Sequence, residues 1–360
     1  MTSPWAQTPE QDFRQRLGRL GSLPRARLLN GPTPLEAMPN LTERCGGGRL
    51  FVKRDDCMGL AFGGNKVRQL EFYFGDAIGK GADCILITGA VQSNFARLAA
   101  AGARKLGMDC HIQLEERVKK TDPAYRQSGN VLLEKMLGAT LHEYPEGEDE
   151  EGADRRLGEI AEGLKEQGRR PYIIPLGPGH PPKGALGYVA AAAELLQQVE
   201  EAGLAVDEIV VASGSGNTHA GLLFGLRALG SNIIVRGICV RRAADLQIPR
   251  IRDRCIQIAE LLGMESPVSE GDVVIDDDFL APGYGYTGEA TARAILLGAR
   301  TEGLMLDPTY TGKTFAGFVA RAEASPPQST LLFIHTGGTP AIFAYEKDLA
   351  QAIGNYGGEV

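Results

Sequence analysis

Lys66 follows Gly63, Gly64 and Asn65 and opens a stretch of helical periodicity, a position where the helix macrodipole repels a cation. A lysine whose charge is discouraged by its surroundings is a usable amine nucleophile, the group that Schiff-base chemistry requires. Taken alone, the same four residues also suit a solvated surface lysine. A second group lies at 211–218, where Ser213, Gly214, Ser215, Gly216, Asn217 and Thr218 follow an apolar run and lead into an apolar helical stretch. Glycines there let successive N–H groups converge, the Ser and Thr hydroxyls add donors, and a helix N-terminus favours an anion. The segment reads as a phosphate cradle, with a tight turn serving only packing as the plainer alternative. A dinucleotide fingerprint would demand glycine where His219 stands, and neither Gly64-Asn65-Lys66 nor Gly312-Lys313-Thr314 completes a P-loop.

Gln92, Ser93 and Asn94 come after the apolar run 84–89 and begin another helical stretch. N–H groups at such a terminus, beside a hydroxyl and an amide, suit a substrate carboxylate, although an ordinary capping serine has the same signature. Tyr284 and Tyr286 stand beside glycines in one loop, and Tyr310 precedes Thr311 in another. A tyrosine so placed can lay its ring on a planar cofactor or bring its phenol to a reacting proton; packing is the commoner use. His335 and Thr336 follow the final apolar run, where a hydroxyl could meet a ring nitrogen.

These groups need strands that end, and helices that start, beside them. Runs at 50–54, 84–89, 110–114, 172–176, 208–213, 233–240, 272–275 and 331–335 read as strands. Helical spacing covers 66–80, 92–107, 123–138, 152–168, 184–202, 217–229, 243–263, 287–302, 312–323 and 339–353. Strand and helix alternating in this way imply a parallel, doubly wound α/β architecture, in which ligands bind at the carboxyl ends of strands. The Pro- and Gly-rich region 170–182 marks a passage between two lobes, and the acidic patch 146–154 reads as a solvated helix start.

A length of 360 residues fits two domains, and 43% hydrophobic with 23% charged residues is globular rather than disordered composition. The net charge of −7 leaves no surplus of cations for nucleic acid or an anionic membrane. No segment reaches the ~20 apolar residues of a membrane span. The six cysteines are scattered without a CxxC pair and read as reduced core thiols; no metal-ligand set is expected. The first twenty residues lack a leader pattern, so a cytoplasmic location is expected.

In their order, Gly31–Leu35, Lys53–Asp56, GGNK, QSN, SGSGNTHAG, APGYG, DPTYTGK, IHTGG and Ala341–Tyr345 closely resemble one family. It is that of the fold-type II pyridoxal phosphate (PLP) enzymes D-cysteine desulfhydrase and 1-aminocyclopropane-1-carboxylate (ACC) deaminase, with L-cysteate sulfo-lyases as close members. The resemblance covers nearly the whole chain. It implies two open, twisted, mainly parallel sheets flanked by helices. A larger PLP-binding domain would comprise 1–58 and 172–360, and a smaller mobile one 59–171. Lys66 becomes the Schiff-base lysine, Ser213 to Thr218 the phosphate cradle, and Tyr310 the ring stacked on the pyridine. Asn65 and Asn94 would lie near the cofactor, with Thr336 facing the pyridine nitrogen. Substrate would meet Gln92, Ser93, Asn94, Phe95, Tyr284 and His180, and Lys66, Ser93, Tyr284 and Tyr310 would act on it. The implied partners are a small amino acid and a second copy of the chain.

Within the family, ACC deaminases are expected to carry Glu after the stacking tyrosine, where Thr311 stands here. The resemblance therefore implies a weaker electron sink and favours β-elimination from D-cysteine, giving pyruvate, ammonia and hydrogen sulfide, over cyclopropane opening. Phe95 replaces the His usual after QSN in desulfhydrases. The loop with His180 and Lys183 resembles the pattern of L-cysteate sulfo-lyases, so sulfite release from L-cysteate is the alternative, with ACC deamination behind it.

Overall fold

A computed structural model describes residues 16–46, 48–177, 179–356 and 358. Most of the segment read for a leader, and with it the start of the expected 1–58 piece, lies outside the described residues, as does Pro178 of the His180 loop. Ten strands are present: β1 (Leu35–Ala37), β2 (Arg49–Lys53), β3 (Cys84–Ala90), β4 (Asp109–Glu115), β5 (Thr140–Tyr144), β6 (Pro171–Ile174), β7 (Glu208–Ser213), β8 (Ile234–Cys239), β9 (Val274–Asp276) and β10 (Thr330–Ile334). They form a six-stranded sheet of order β1-β2-β10-β7-β8-β9 and a four-stranded sheet of order β5-β4-β3-β6. Every pairing is parallel except that of β1 on β2. This is the mixed α/β, two-sheet architecture that the resemblance implies.

Parallel strands need crossover helices, which cover both faces and so demand apolar residues on both. In the larger sheet Ile209, Val211, Leu332 and Ile334 point to the helices Leu186–Glu201, Asn217–Ala228 and Ala244–Leu262. Their neighbours Val210, Leu331 and Phe333 point the other way, to the helices Glu289–Glu302 and Thr311–Ala324. The smaller sheet repeats the plan, and all seven residues of β3 are buried. Ile85 and Ile87 pack with the helices Lys66–Gly79 and Asn94–Lys105, whereas Leu86 packs with Glu150–Glu166.

Periodicity missed β1, three residues long, and β5, a half-exposed edge strand whose weak alternation carries little signal. The helix expected over 123–138 breaks at Ser128, whose backbone is extended (φ −101°, ψ −172°), and 339–353 breaks at Tyr345. Strand β6 pairs with β3, so the smaller sheet continues to Ile174 and the chain crosses to the larger one after it, not at 171–172. Of the six free thiols, Cys84, Cys110, Cys239 and Cys255 are buried and Cys45 is half-buried against the core, but Cys57 is exposed and so is not a core residue. Among the described residues no helix is long and apolar enough to cross a membrane.

Candidate active site

The loop into Lys66 is held in an unusual backbone shape. Gly63 and Gly64 have φ of +60° and +117°, and a Cβ on Gly63 would lie 2.4 Å from the Met58 carbonyl oxygen. Ala61 and Phe62 also have positive φ, at 41° and 67°, which L side chains seldom adopt. Arg97, fully buried on the helix Asn94–Lys105, fixes this shape by donating to the carbonyls of Ala61 and Gly63. The Asn65 N–H donates to the Thr336 carbonyl (3.0 Å), tying the loop to the end of β10.

Lys66 is thereby delivered to a cleft between the two sheets that encloses about 1090 Å³, its open mouth included. Its residual exposure is to the cleft, and no carboxylate pairs with it among the described residues. Burial pushes the amine down from 10.5 to about 8. The Phe95 ring centre lies 5.2 Å from Nζ and favours the ammonium, by about 0.5–2 kcal/mol for such contacts. Desolvation outweighs it, since the lowered value corresponds to roughly 3 kcal/mol.

One wall of the cleft is the turn from β7 into the helix Asn217–Ala228, contributing Gly214, Ser215, Gly216 (φ +95°) and Thr218. The Thr218 oxygen accepts from Asn65 Nδ2 (2.8 Å) and Gln69 Nε2 (2.9 Å), which leaves its own O–H to donate. Opposite, Ser93 caps the helix Asn94–Lys105 by accepting from the Ala96 N–H (3.1 Å). Gly89 makes room for it, because a Cβ there would lie 2.6 Å from the Ser93 Oγ. Asn94 and Phe95 line the same wall, with Asn94 Oδ1 accepting from Asn130 (3.0 Å). Tyr284 and Tyr310 close the cleft with hydroxyls 2.6 Å apart and rings at 74°. Burial and the Tyr284 hydroxyl hold the Tyr310 phenol well above its usual value. Thr336 also lines the cleft.

Several residues picked out in the sequence are brought close but do not reach the cleft wall. Ser213 is buried with its oxygen between Gln247 Nε2 (2.9 Å) and His219 Nδ1 (3.1 Å), so it braces the cradle from behind. Asn217 is buried as well, and its Oδ1 has no hydrogen-bond partner. Gln92 donates to the carbonyls of Tyr125 (2.6 Å) and Ser128 (3.0 Å) and accepts from the Asn130 N–H (2.9 Å), which makes it a support for Asn94. Thr311, expected to stand in for an acid beside the pyridine, spends its hydroxyl on Asp307 (2.7 Å) at the start of its helix. His180 meets Asp154 (3.5 Å), and Lys183 pairs with Asp76, so neither is directed at a substrate.

The cleft also holds charged residues that motif reading passed over. Glu115, buried at the end of β4, accepts from Thr88 (2.6 Å) and from Arg117 Nε (2.7 Å). Glu150, Asp154, Arg241 and Arg250 line the wall as well, and Arg250 Nε donates to the Ser215 carbonyl (3.0 Å). A signal for most of them was available: Glu115, Arg117 and Arg241 lie at or just past strand carboxyl ends, where ligands of such sheets bind. Glu150 was hidden in the acidic patch, which does form a helix start capped by Asp149.

An amine whose pKa burial lowers, a turn of N–H donors with a free hydroxyl and an adjacent guanidinium, and a tyrosine between them fit PLP. The phosphate suits Gly214–Thr218 with Arg250, and the aldehyde suits Lys66. The family model for pyridoxal-phosphate dependent enzymes matches residues 26–337. The D-cysteine desulfhydrase of Klebsiella pneumoniae is 40% identical over 335 residues, covering 92% of this chain and 99% of that protein. The crystal structure of an ACC deaminase homologue superposes with a TM-score of 0.84 at 37% identity, covering 95% and 99% of the two chains. Escherichia coli diaminopropionate ammonia lyase shares the fold, with a TM-score of 0.63 and 16% identity over 97% and 94%.

Proposed function

The chain belongs to the pyridoxal-phosphate dependent enzyme family, and from that premise we propose that it eliminates sulfide from D-cysteine, giving pyruvate, ammonia and hydrogen sulfide. The observation that carries this reading is the Lys66 amine, largely enclosed with no carboxylate partner among the described residues and sharing one cleft with the donor-lined turn Gly214–Thr218. Likeness to D-cysteine desulfhydrases over nearly their full length supports the substrate. L-Cysteate is the weaker alternative, because His180 and Lys183, which suggested it, are paired with Asp154 and Asp76.

PLP, when bound, supplies the electron sink for the charge left at the substrate Cα. Gly214, Ser215, Gly216 and Thr218 would hold its phosphate with Arg250 alongside, Tyr310 would lie against the ring, and Thr336 would face the ring nitrogen. Asn65 orients Thr218, and Asn94 would lie near the ring oxygen. Ser93 receives the substrate carboxylate: its oxygen already accepts from Ala96, so its O–H donates, together with N–H groups of the first helical turn. Lys66, unprotonated in part near pH 7 because of its lowered value, takes the Cα proton at Nζ. The Tyr284–Tyr310 hydroxyl pair passes a proton to the departing sulfur. Phe95 keeps water from Nζ and packs beside the substrate.

The smaller lobe, carrying Ser93, closes over substrate in this reading. Exposed Leu132, Met136 and Phe343, on helices that pack together, support a homodimer, and six free thiols support a reducing, cytoplasmic setting. Absorbance of the purified protein with PLP, followed by pyruvate and sulfide assays on D-cysteine, L-cysteine and L-cysteate, tests the reading. A visible band with equimolar pyruvate and sulfide from D-cysteine is expected. A band without either product would refute the substrate, and no band would refute the cofactor site.

A further inference from the structure

The helix Glu150–Glu166 belongs to the smaller lobe, yet its first residue reaches across to the segment after β8. Glu150 Oε1 lies 2.6 Å from Arg242 Nη2 and 3.1 Å from Arg241 Nη1. Arg117 and Arg250 also act on this carboxylate and hold it below the usual range against the cost of burial. Two guanidiniums thus pair with one carboxylate at the cleft wall, and the two that act on it from farther off have other duties. Arg117 is taken by Glu115 (2.7 Å), and Arg250 is anchored to the Ser215 carbonyl of the phosphate turn (3.0 Å). Arg241 and Arg242 are left to share Glu150, with the exposed Glu148 3.3 Å from Arg241. The Arg242 Nη1 atom is buried with no partner, and burial with the repulsion of Arg241 pushes this guanidinium down to about 10. The pair is therefore an anion site already filled by the chain's own carboxylate.

We propose that Arg241, on the wall of the active cleft, and Arg242 beside it form an oxyanion-binding subsite that Glu150 occupies from within, so that amino acids with neutral β-substituents enter and those with anionic ones are turned away. The substrate half of this statement rests on the lyase reading above; the subsite itself does not. Sulfate is a suitable probe, because it shares the tetrahedral oxygens of a sulfonate and pairs with guanidinium in the same way.

The experiment titrates sodium sulfate into the PLP-loaded protein by calorimetry at constant ionic strength, using wild type, Glu150→Gln, Glu151→Gln and Glu150→Gln/Arg241→Gln. Glu151→Gln removes the same charge one residue away on an exposed position and controls for net charge. Sulfate should bind Glu150→Gln at least tenfold more tightly than wild type, Glu151→Gln should match wild type, and the double variant should lose the gain. The same Glu150→Gln change should raise kcat/KM for cysteate relative to D-cysteine at least tenfold. Unchanged sulfate affinity in Glu150→Gln, or a gain that survives Arg241→Gln, overturns the proposal. Should Glu150→Gln not fold, as judged by circular dichroism, Glu150→Asp withdraws the carboxylate and must still tighten sulfate. If wild type makes no pyruvate from D-cysteine, the lyase reading falls while the sulfate titration still decides the subsite.

Discussion

The Lys66 amine and the Phe95 ring lie 5.2 Å apart on the first turns of two different helices, so the residue after Asn94 shapes the environment of the nucleophile. Their enclosure is what lowers the amine to about 8.

That lowering has a signature in stability. Below pH 8 the folded chain carries a buried ammonium that the unfolded chain solvates, so the cost is present in full. Between pH 8 and 10.5 the unfolded chain holds the extra proton and the cost fades. Cofactor-free Lys66→Met should therefore be more stable than wild type at pH 7, by roughly 3 kcal/mol, and the gap should shrink steadily up to pH 10. Urea unfolding across this range measures it; a gap independent of pH would mean that the amine is not perturbed.

Glu134 is fully buried with neither carboxylate oxygen hydrogen-bonded, and burial holds its value well above the usual range. Burial therefore favours the neutral carboxyl, and Glu134→Gln should cost less than about 1 kcal/mol. A loss of about 3–5 kcal/mol in urea unfolding would instead reveal an ionised partner for Arg97.

Tyr284→Phe keeps the ring and deletes one of two hydroxyls 2.6 Å apart. The PLP absorbance band and KM should persist while kcat falls about 100-fold, the usual loss for a positioned proton donor. Unchanged kcat would remove the hydroxyl pair from the proton path.

Much of this was legible in the sequence because parallel strands buried on both faces are continuous apolar runs, and all eight runs read as strands correspond to one. The turns that end them carry the site, so Lys66, Ser93, Asn94, Phe95, Tyr284, Tyr310 and Thr336 all line the cleft. Side-chain direction was not legible. Ser213 and Ser215 are two residues apart in one motif, but only Ser215 faces the cleft, because Gln247 and His219 claim Ser213. Nor could spacing reveal that Glu150 meets Arg241 and Arg242 some ninety positions away. Such pairs depend on how the two sheets are set against each other.

The position of β10 governs the order in which the molecule can be built. It lies between β2 and β7, so residues 330–334 are the centre of a sheet whose other strands were synthesised far earlier. The smaller sheet draws all four strands from 84–174 and can close while most of the remaining chain is still being made. The larger sheet must wait with β2 and β7 unjoined until Ile334 is free to pair, leaving two strand edges open to chaperones or to neighbouring nascent chains.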